Sequence, residues 1–555
     1  MKTYQKRISC FLNCRYYMYA VLFTALLCYG FSATNITIGP DSMEGGRYLG
    51  AGNEMLASGR FGMKLWAMVM GYGDSGPAFS FCIAVLAAAL LVLAAIHFSM
   101  IFRMVSGGKI SLFGCGVFSC ALISYPLMNE IWEYNGANLC VCGGYFLDSV
   151  VLYLVLTVLR DQELTKKQKC QRLALACLAM TVVCASYESL VVVYIFMVFA
   201  ILTVMQLYDG EKWSFGRIFR WGIVFAAVLL CGILLRLVIH RLILVVMDIP
   251  YKRNGATGIA WGSKPVSEIL SQLFRYSLIY YFMRGCAYFP ILEMVISAGL
   301  LCLAMPILAL WKKRPWLLLT GFGMLLCLML LQLIQGTGIQ YRTCQVFGAL
   351  VAFVALGVSE LAIRFFRNRK LGLGSIQVLL VLLCLHQSTS LSRWLVLDHL
   401  RSEEEAFTIR TIGTDLERAY DLDKTVIVLG RYPLGDGIME EITADMRDNP
   451  LYQWFWKKTA WDTGDNGTIR ISDHNVYSVL RWSENAFSEN GTYGTSVEKL
   501  FRFYGFRLHT EHDPETHAEA TRYVIDNDVP GYPKDGYIVE LENYIIVNLL
   551  QGSDY

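Results

Sequence analysis

Between the first two apolar runs of the chain stands a polar stretch, Pro40-Asp41-Ser42-Met43-Glu44-Gly45-Gly46-Arg47, followed by Ser58-Gly59-Arg60-Phe61-Gly62. Carboxylates and guanidiniums beside a bilayer are costly, and where they persist they point to function. The loop holding them runs to about forty residues, longer than a connection between neighbouring helices needs. A carboxylate there can accept a proton from an attacking hydroxyl, and cations can hold a phosphate leaving group as it gains charge. That is the chemistry of transfer from a lipid-linked phosphate donor. Asp41, soon after the first apolar run, is the candidate general base, with Glu44 beside it, and Arg47 and Arg60 are candidate phosphate ligands.

Other connections between apolar runs offer the same residue types: Glu130 and Glu133 around Trp132; Tyr187-Glu188 inside Ala185-Ser186-Tyr187-Glu188-Ser189; Lys252 and Arg253 after Asp248-Ile249-Pro250-Tyr251; and Tyr341-Arg342 before a late apolar run. Glu130 joins Asp41 and Glu44 as a candidate acid or base, and Tyr187, Glu188, Lys252, Arg253, Tyr341 and Arg342 join the arginines as substrate-binding candidates. Plainer roles stay open. Arg47 and Arg60 also suit interfacial anchors that snorkel to headgroups. Glu130 and Glu133 suit an exposed acidic turn, Lys252 and Arg253 suit contacts with anionic headgroups, and Arg342 suits either a lipid-facing anchor or a phosphate clamp. A carboxylate at the break of a hairpin within membrane depth is strained without a partner, which favours a site role for Glu188.

The elements that must position these residues are membrane helices. Of the 555 residues 55% are hydrophobic and only 17% charged, and apolar residues recur in runs of about twenty, enough to cross hydrocarbon as helix. Basic clusters at Lys2 to Arg7, Arg103 to Lys109, Arg160 to Arg172, Lys212 to Arg220, Lys312 to Arg314 and Arg364 to Lys370 face the cytoplasm by the positive-inside bias. The charge alternation predicts about eleven spans, with the amino terminus cytoplasmic and all the candidate residues on the outer side. The segment from residue 173 to 211 goes out and back as two short helices with Tyr187 and Glu188 at the apex. The amphipathic stretch Glu268 to Met283 is expected along the interface rather than across it.

Composition changes abruptly after residue 391. Residues 1–391 are expected to form the membrane domain and residues 392–555 a soluble extracytoplasmic α/β domain, with a helix over Ser402 to Tyr420 and strands at Thr425 to Leu429, Tyr537 to Leu541 and Tyr544 to Val547. A formal charge of +3 is too small to argue for nucleic acid, so no such partner is expected. All 17 cysteines precede residue 391 and most sit in apolar runs, which argues against a disulfide framework. Cys140-Val141-Cys142 has no second pair or nearby histidine, so no metal site is assigned there. A divalent ion at the acidic loop stays open, since Asp41 and Glu44 alone supply too few ligands.

The order of these features resembles the bacterial type II glucosyl transferase family of O-antigen modification, polyprenyl-phosphate-dependent enzymes of the membrane-embedded GT-C class. The resemblance rests on Asp41, Arg47 and Gly59-Arg60 in the first outer loop, Pro126-Leu127-Met128-Asn129-Glu130 in the second, Ser186-Tyr187-Glu188 in the third and Tyr341-Arg342 before a late span, and covers roughly residues 1 to 390. Glu188 departs from the family, which has a polar, Gln-like residue there. The resemblance implies a multi-pass enzyme of the bacterial plasma membrane that transfers a glucosyl-type sugar from a polyprenyl-phosphate donor to a cell-surface glycan on the outer face. The residues alone imply a lipid-phosphate site facing outward. A transporter or flippase of lipid-linked sugars, and a non-catalytic protein of envelope glycan assembly, are the competing functions; the near absence of charged or helix-breaking residues in the spans from 291 to 391, and of an internal repeat, weighs against transport.

Overall fold

Apolar runs of this length bury their backbone hydrogen bonds only as helix, and helix is what the chain forms. The computed structural model describes residues 2–35, 37, 54–69, 80–132, 137–208, 213–249, 259–278, 291–337, 341–366, 369–430 and 492–550. Nine helices among the described residues are long and apolar enough to cross a membrane, and two shorter apolar ones accompany them. The protein is a multi-pass α-helical membrane protein.

Contacts divide the chain into two units, one of them Met1–Thr34, Arg47–Ser75 and Phe79–Trp394. Its helices are α1 (Lys2–Leu12), α2 (Arg15–Thr34), the short α3 (Glu54–Ala57) and α4 (Phe61–Val69), α5 (Ser80–Val105), α6 (Leu112–Ile123), the single turn α7 (Met128–Trp132), α8 (Ala137–Arg160), α9 (Lys166–Ser186) and α10 (Leu190–Tyr208). There follow α11 (Phe215–Val246), α12 (Val266–Leu278), α13 (Ile291–Trp311), α14 (Trp316–Cys327), α15 (Leu330–Gln335), a 3-10 turn at Tyr341–Thr343, α16 (Val346–Phe365) and α17 (Lys370–Ala419), whose residues up to Trp394 belong to this unit.

Side-chain caps start several of these helices. Thr165 and Gln168 form a capping box on α9, while Ser111 and Ser214 cap α6 and α11, satisfying donors that a helix start leaves orphaned. Cations close the other ends, Arg160 donating to Met104 O at 3.3 Å and Lys109 to Tyr208 O at 3.0 Å, while Arg103 donates to Ile110 O in the link before α6 at 2.6 Å. Buried Glu360 accepts from the Ser111 amide and hydroxyl at 3.0 and 2.6 Å. These contacts gather the basic residues at one end of the bundle, where they also neutralise helix C-termini. In α12, Ile269 and Leu273 are buried with Ala260, whereas Val266, Leu270 and Phe274 are exposed.

The second unit comprises Asn35–Gly46, Gly76–Ala78 and Leu395–Tyr555. Its described part holds the distal portion of α17, β1 (Thr425–Leu429), α18 (Thr495–Phe503), α19 (Pro514–Asp526), β2 (Ile538–Glu540) and β3 (Tyr544–Asn548). Strand order is β1-β3-β2, with β1 parallel and β2 antiparallel to β3. Val426 and Val428 pack with Ile409, Ile412 and Leu416 of α17 and Leu500 and Phe501 of α18, while Ile427 and Leu429 pack with Ala520 and Val524 of α19. Covered on both faces, β1 reads as a continuous apolar run rather than an alternating one. The helix expected over Ser402 to Tyr420 is the distal part of a 50-residue helix; polar residues after 391 change its surroundings without breaking it, because Arg, Glu, Ala and Leu all sustain helix.

Candidate active site

At the end of the first unit away from the basic residues, α9 and α10 meet at a tight apex. They are full-length helices of 21 and 19 residues rather than the short pair expected, and the chain breaks only at Tyr187, whose backbone is extended at φ −155° and ψ 128°. The break turns Tyr187, Glu188 and Ser189 toward three other elements. The hydroxyl of Ser189 donates to Gln345 Oε1, and Gln345 Nε2 donates to Arg342 O at 2.7 Å. The 3-10 turn that carries Tyr341 and Arg342 is thereby tied to the apex. Tyr145 of α8 adds a bond from its hydroxyl to Gln345 O at 3.1 Å.

Arg60 enters from the link between α3 and α4. Gly59 takes φ +78°, a conformation that suits glycine, and a Cβ on Gly62 would stand 2.7 Å from the backbone of Ala185 and Ser186; the two glycines let the α3–α4 link turn and press against the apex. Arg60 Nη2 then lies 3.4 Å from Glu188 Oε2, with its guanidinium 5.5 Å from the Tyr187 ring centroid. From α11, Arg236 Nη2 lies 3.6 Å from Glu188 Oε1, its Nε donates to Gly59 O at 3.3 Å, and His240 Nε2 donates to Ala57 O at 3.2 Å. Glu188 is 47% exposed, so each ion pair stabilises by a fraction of a kcal/mol. Their effect is to aim two guanidiniums at one place.

Glu130 completes the group. It lies in α7, buried, and α7 packs against the turn that holds Arg342. Burial pushes the Tyr187 phenol up; Arg342 and Arg60 pull it down, and Glu188 and Glu130 add to the rise. All four charged groups therefore act on one phenol. Two guanidiniums meet the Glu188 carboxylate, with Arg342 and Glu130 close enough to act on the same phenol, an arrangement suited to an anion that gains charge during reaction.

The structure thus brings together Arg60, Glu130, Tyr187, Glu188 and Arg342, with the Tyr341 backbone in the same turn as Arg342. Burial of Glu130 removes the exposed acidic turn as an account of it. Asp41, Glu44, Arg47, Glu133, Lys252 and Arg253 lie outside the described residues. Arg236 and His240 are additions that the reading of loops passed over, because both fall inside an apolar run; an arginine and a histidine within such a run are themselves the signal. At 1.5 Å per residue, Arg236 stands about 31 Å along α11 from Phe215, roughly a hydrocarbon thickness from the basic end. Among the described residues no group of three or more His, Cys, Asp or Glu side chains is placed to hold a metal ion. Cys140 and Cys142 are buried free thiols.

Similar solved structures are distant. One is the oligosaccharyltransferase of Archaeoglobus fulgidus, tethered with an acceptor peptide containing the NVT sequon, at 12% identity and a TM-score of 0.39, covering 76% of this chain and 62% of that one. Another is ArnT from Cupriavidus metallidurans bound to undecaprenyl phosphate, at 14% identity and a TM-score of 0.34, covering 81% and 91%. This chain therefore spans 62% of the length of the oligosaccharyltransferase. No curated protein matches the chain. The family model described as glucosyl transferase GtrII matches residues 30–359, more than half of the chain and the whole of the charged cluster just described. The chain belongs to the glucosyl transferase GtrII family and is a membrane glycosyltransferase.

Proposed function

We propose that this glycosyltransferase moves a glucosyl-type sugar from a polyprenyl-phosphate donor to a cell-surface glycan on the outer face of the bacterial plasma membrane, as a GT-C-class enzyme. The observation that carries the reading is the convergence of Arg60, Arg236 and Arg342 on the Tyr187-Glu188 apex from three elements. A phosphodiester donor becomes a phosphate monoester when the sugar leaves, so negative charge grows on oxygens the guanidiniums can bind. The acceptor hydroxyl oxygen attacks the anomeric carbon, the bond from that carbon to the phosphate oxygen breaks with its electron pair going to the phosphate, and the hydroxyl proton passes to a carboxylate. Asp41 is our choice for that base, with Glu44 and Glu130 as the alternatives. Arg47, Lys252 and Arg253 are proposed as further ligands of the lipid phosphate.

The same helices support the orientation. α9 begins at Lys166 and reaches the apex at Ser186, and α16 begins beside Gln345 and ends near Arg364. With the basic end cytoplasmic, the nine long and two short apolar helices among the described residues make eleven crossings, the site faces outward, and residues 392–555 form an extracytoplasmic domain. In this arrangement α12 lies along the interface with Val266, Leu270 and Phe274 toward the acyl boundary. Comparison of envelope glycans from the source cells with and without the gene tests the reading. Loss of a hexosyl substituent in the deletion strain is expected, and an unchanged glycan profile would contradict it. A reporter active only in the cytoplasm, fused after Tyr555, is expected to stay silent.

A further inference from the structure

The stretch from Tyr125 to Trp132 carries polar atoms that its burial leaves unsatisfied. Tyr125 is 2% exposed, Asn129 1% and Trp132 4%, yet among the described residues the Tyr125 hydroxyl, Asn129 Oδ1 and Trp132 Nε1 have no hydrogen-bond partner. Native interiors rarely leave such groups unmatched, and a cluster of them calls for a ligand or a buried water. Backbone amides of the same stretch are paired: Met128, Asn129 and Glu130 donate to Tyr125, Pro126 and Leu127 carbonyls at 3.1, 3.0 and 3.2 Å. The deficit therefore belongs to the side chains. Trp132 also stacks on Tyr29 with centroids 3.9 Å apart, and the Tyr29 hydroxyl is itself bonded to Ile123 O, so the aromatic pair is fixed while its indole N–H is not used.

The same short stretch carries one member of the charged cluster. That member, Glu130, acts on Tyr187, and α7 packs against both α8 and the Arg342 turn. Two unmatched donors, one unmatched carboxamide acceptor and a carboxylate beside a tryptophan match what a hexose presents, namely hydroxyls that donate and accept around an apolar ring face. We propose that Tyr125, Asn129 and Trp132 form the subsite that recognises the sugar of the lipid donor, next to the guanidiniums that hold its phosphate. The inference rests on the reading of that cluster as a lipid-phosphate site and assigns the part of the donor which the arginines do not read.

Tyr125→Phe and Trp132→Phe each delete one polar atom and keep an aromatic ring. Full-length protein in nanodiscs is titrated with short-chain polyprenyl phosphate and with the same lipid carrying glucose, and its thermal unfolding is followed. The parent is expected to bind the glucosyl lipid at least tenfold more tightly than the bare lipid. Each variant is expected to lose about tenfold in affinity for the glucosyl lipid, to keep its affinity for the bare lipid, and to unfold at the same or a higher temperature, because an unsatisfied buried group has been removed. Should a variant fail to fold, the parent's preference between the two lipids still decides. Variants that bind the glucosyl lipid as the parent does would overturn the subsite and assign the unmatched atoms to buried water, and equal binding of both lipids by the parent would overturn it too. A parent that binds neither lipid overturns the phosphate reading itself, and the subsite with it.

Discussion

Replacing Gly59 by alanine separates the strain of a left-handed residue from the displacement of the arginine it touches. Gly59 sits at φ +78°, and a Cβ there would stand 2.9 Å from Arg236 Nη2 and 3.0 Å from His240 Nδ1. Gly107 is the control: it sits at φ +65°, and nothing lies within 4 Å of the Cβ it would gain. Left-handed backbone costs an alanine about 1–2 kcal/mol at either position. Only Gly59→Ala also pushes Arg236 away from Gly59 O, its acceptor at 3.3 Å, and from Glu188, 3.6 Å distant. The guanidinium tip can swing aside, but the His240 ring on the same helix is stiffer, so the displacement falls on the arginine. A charge-assisted contact to phosphate lost in this way contributes about 1.5–3 kcal/mol, which is about ten- to hundredfold in donor affinity. The assay is titration of each purified variant with polyprenyl phosphate, alongside thermal unfolding. Both variants are expected to lose similar stability, and only Gly59→Ala to lose binding. Equal affinities in the two would refute the placement of Arg236 in the phosphate site.

Arg342→Ala and Lys252→Ala are expected to weaken donor binding by about 1.5–3 kcal/mol each with little effect on folding; unchanged apparent affinity for the lipid donor in both rejects the clamp. Asp41→Asn keeps the shape of the side chain and removes the proton acceptor, so turnover is expected to fall by roughly a hundredfold or more at near-parental donor affinity. Turnover at the parental rate would pass the role of base to Glu44 or Glu130. In the second unit, burial and then the neighbouring His512 hold the His517 pKa at about 4, against 6.5 in the unfolded chain. Between those values the unfolded state binds a proton that the folded state refuses, so stability falls as pH drops from 6.5 toward 4 and levels off below. His517→Phe keeps a ring against Tyr493, whose ring stacks on His517 at 4.2 Å, and is expected to flatten that fall in a pH series of unfolding temperatures; an unchanged slope would assign the titration elsewhere.

Sequence pattern carries the membrane class of this chain, because hydrocarbon admits only helices whose apolar runs are long enough to be seen. The hairpin break at Tyr187 was legible for a related reason, since Ala185 to Ser189 interrupts an apolar segment that must return to its starting side. Thr425 to Leu429 and Tyr544 to Val547 were visible as strands from β-branched density. Other features were hidden by what a one-dimensional pattern omits. The 32 residues of α11 read as a span, with nothing to say that its last turns rise beside the apex and present Arg236 and His240 to Glu188 and Ala57. The change of composition after residue 391 suggested a new element, whereas the helix of Leu380 and Leu391 continues through Ile409 and Leu416. Burial of Glu130 and the unmatched atoms around it depend on contacts between α7, α8 and the Arg342 turn, which sequence spacing does not record.

The most direct measurement supplies purified protein in vesicles with polyprenyl-phosphate glucose labelled in the sugar, together with envelope glycan from the source cells. The expected result is label in the glycan and an equivalent amount of polyprenyl phosphate released, both abolished when Arg60, Arg236 and Arg342 are replaced together by glutamine. Label that crosses the vesicle membrane still attached to its lipid, or an intact labelled lipid after prolonged incubation with glycan, would contradict sugar transfer from a lipid phosphate at this site.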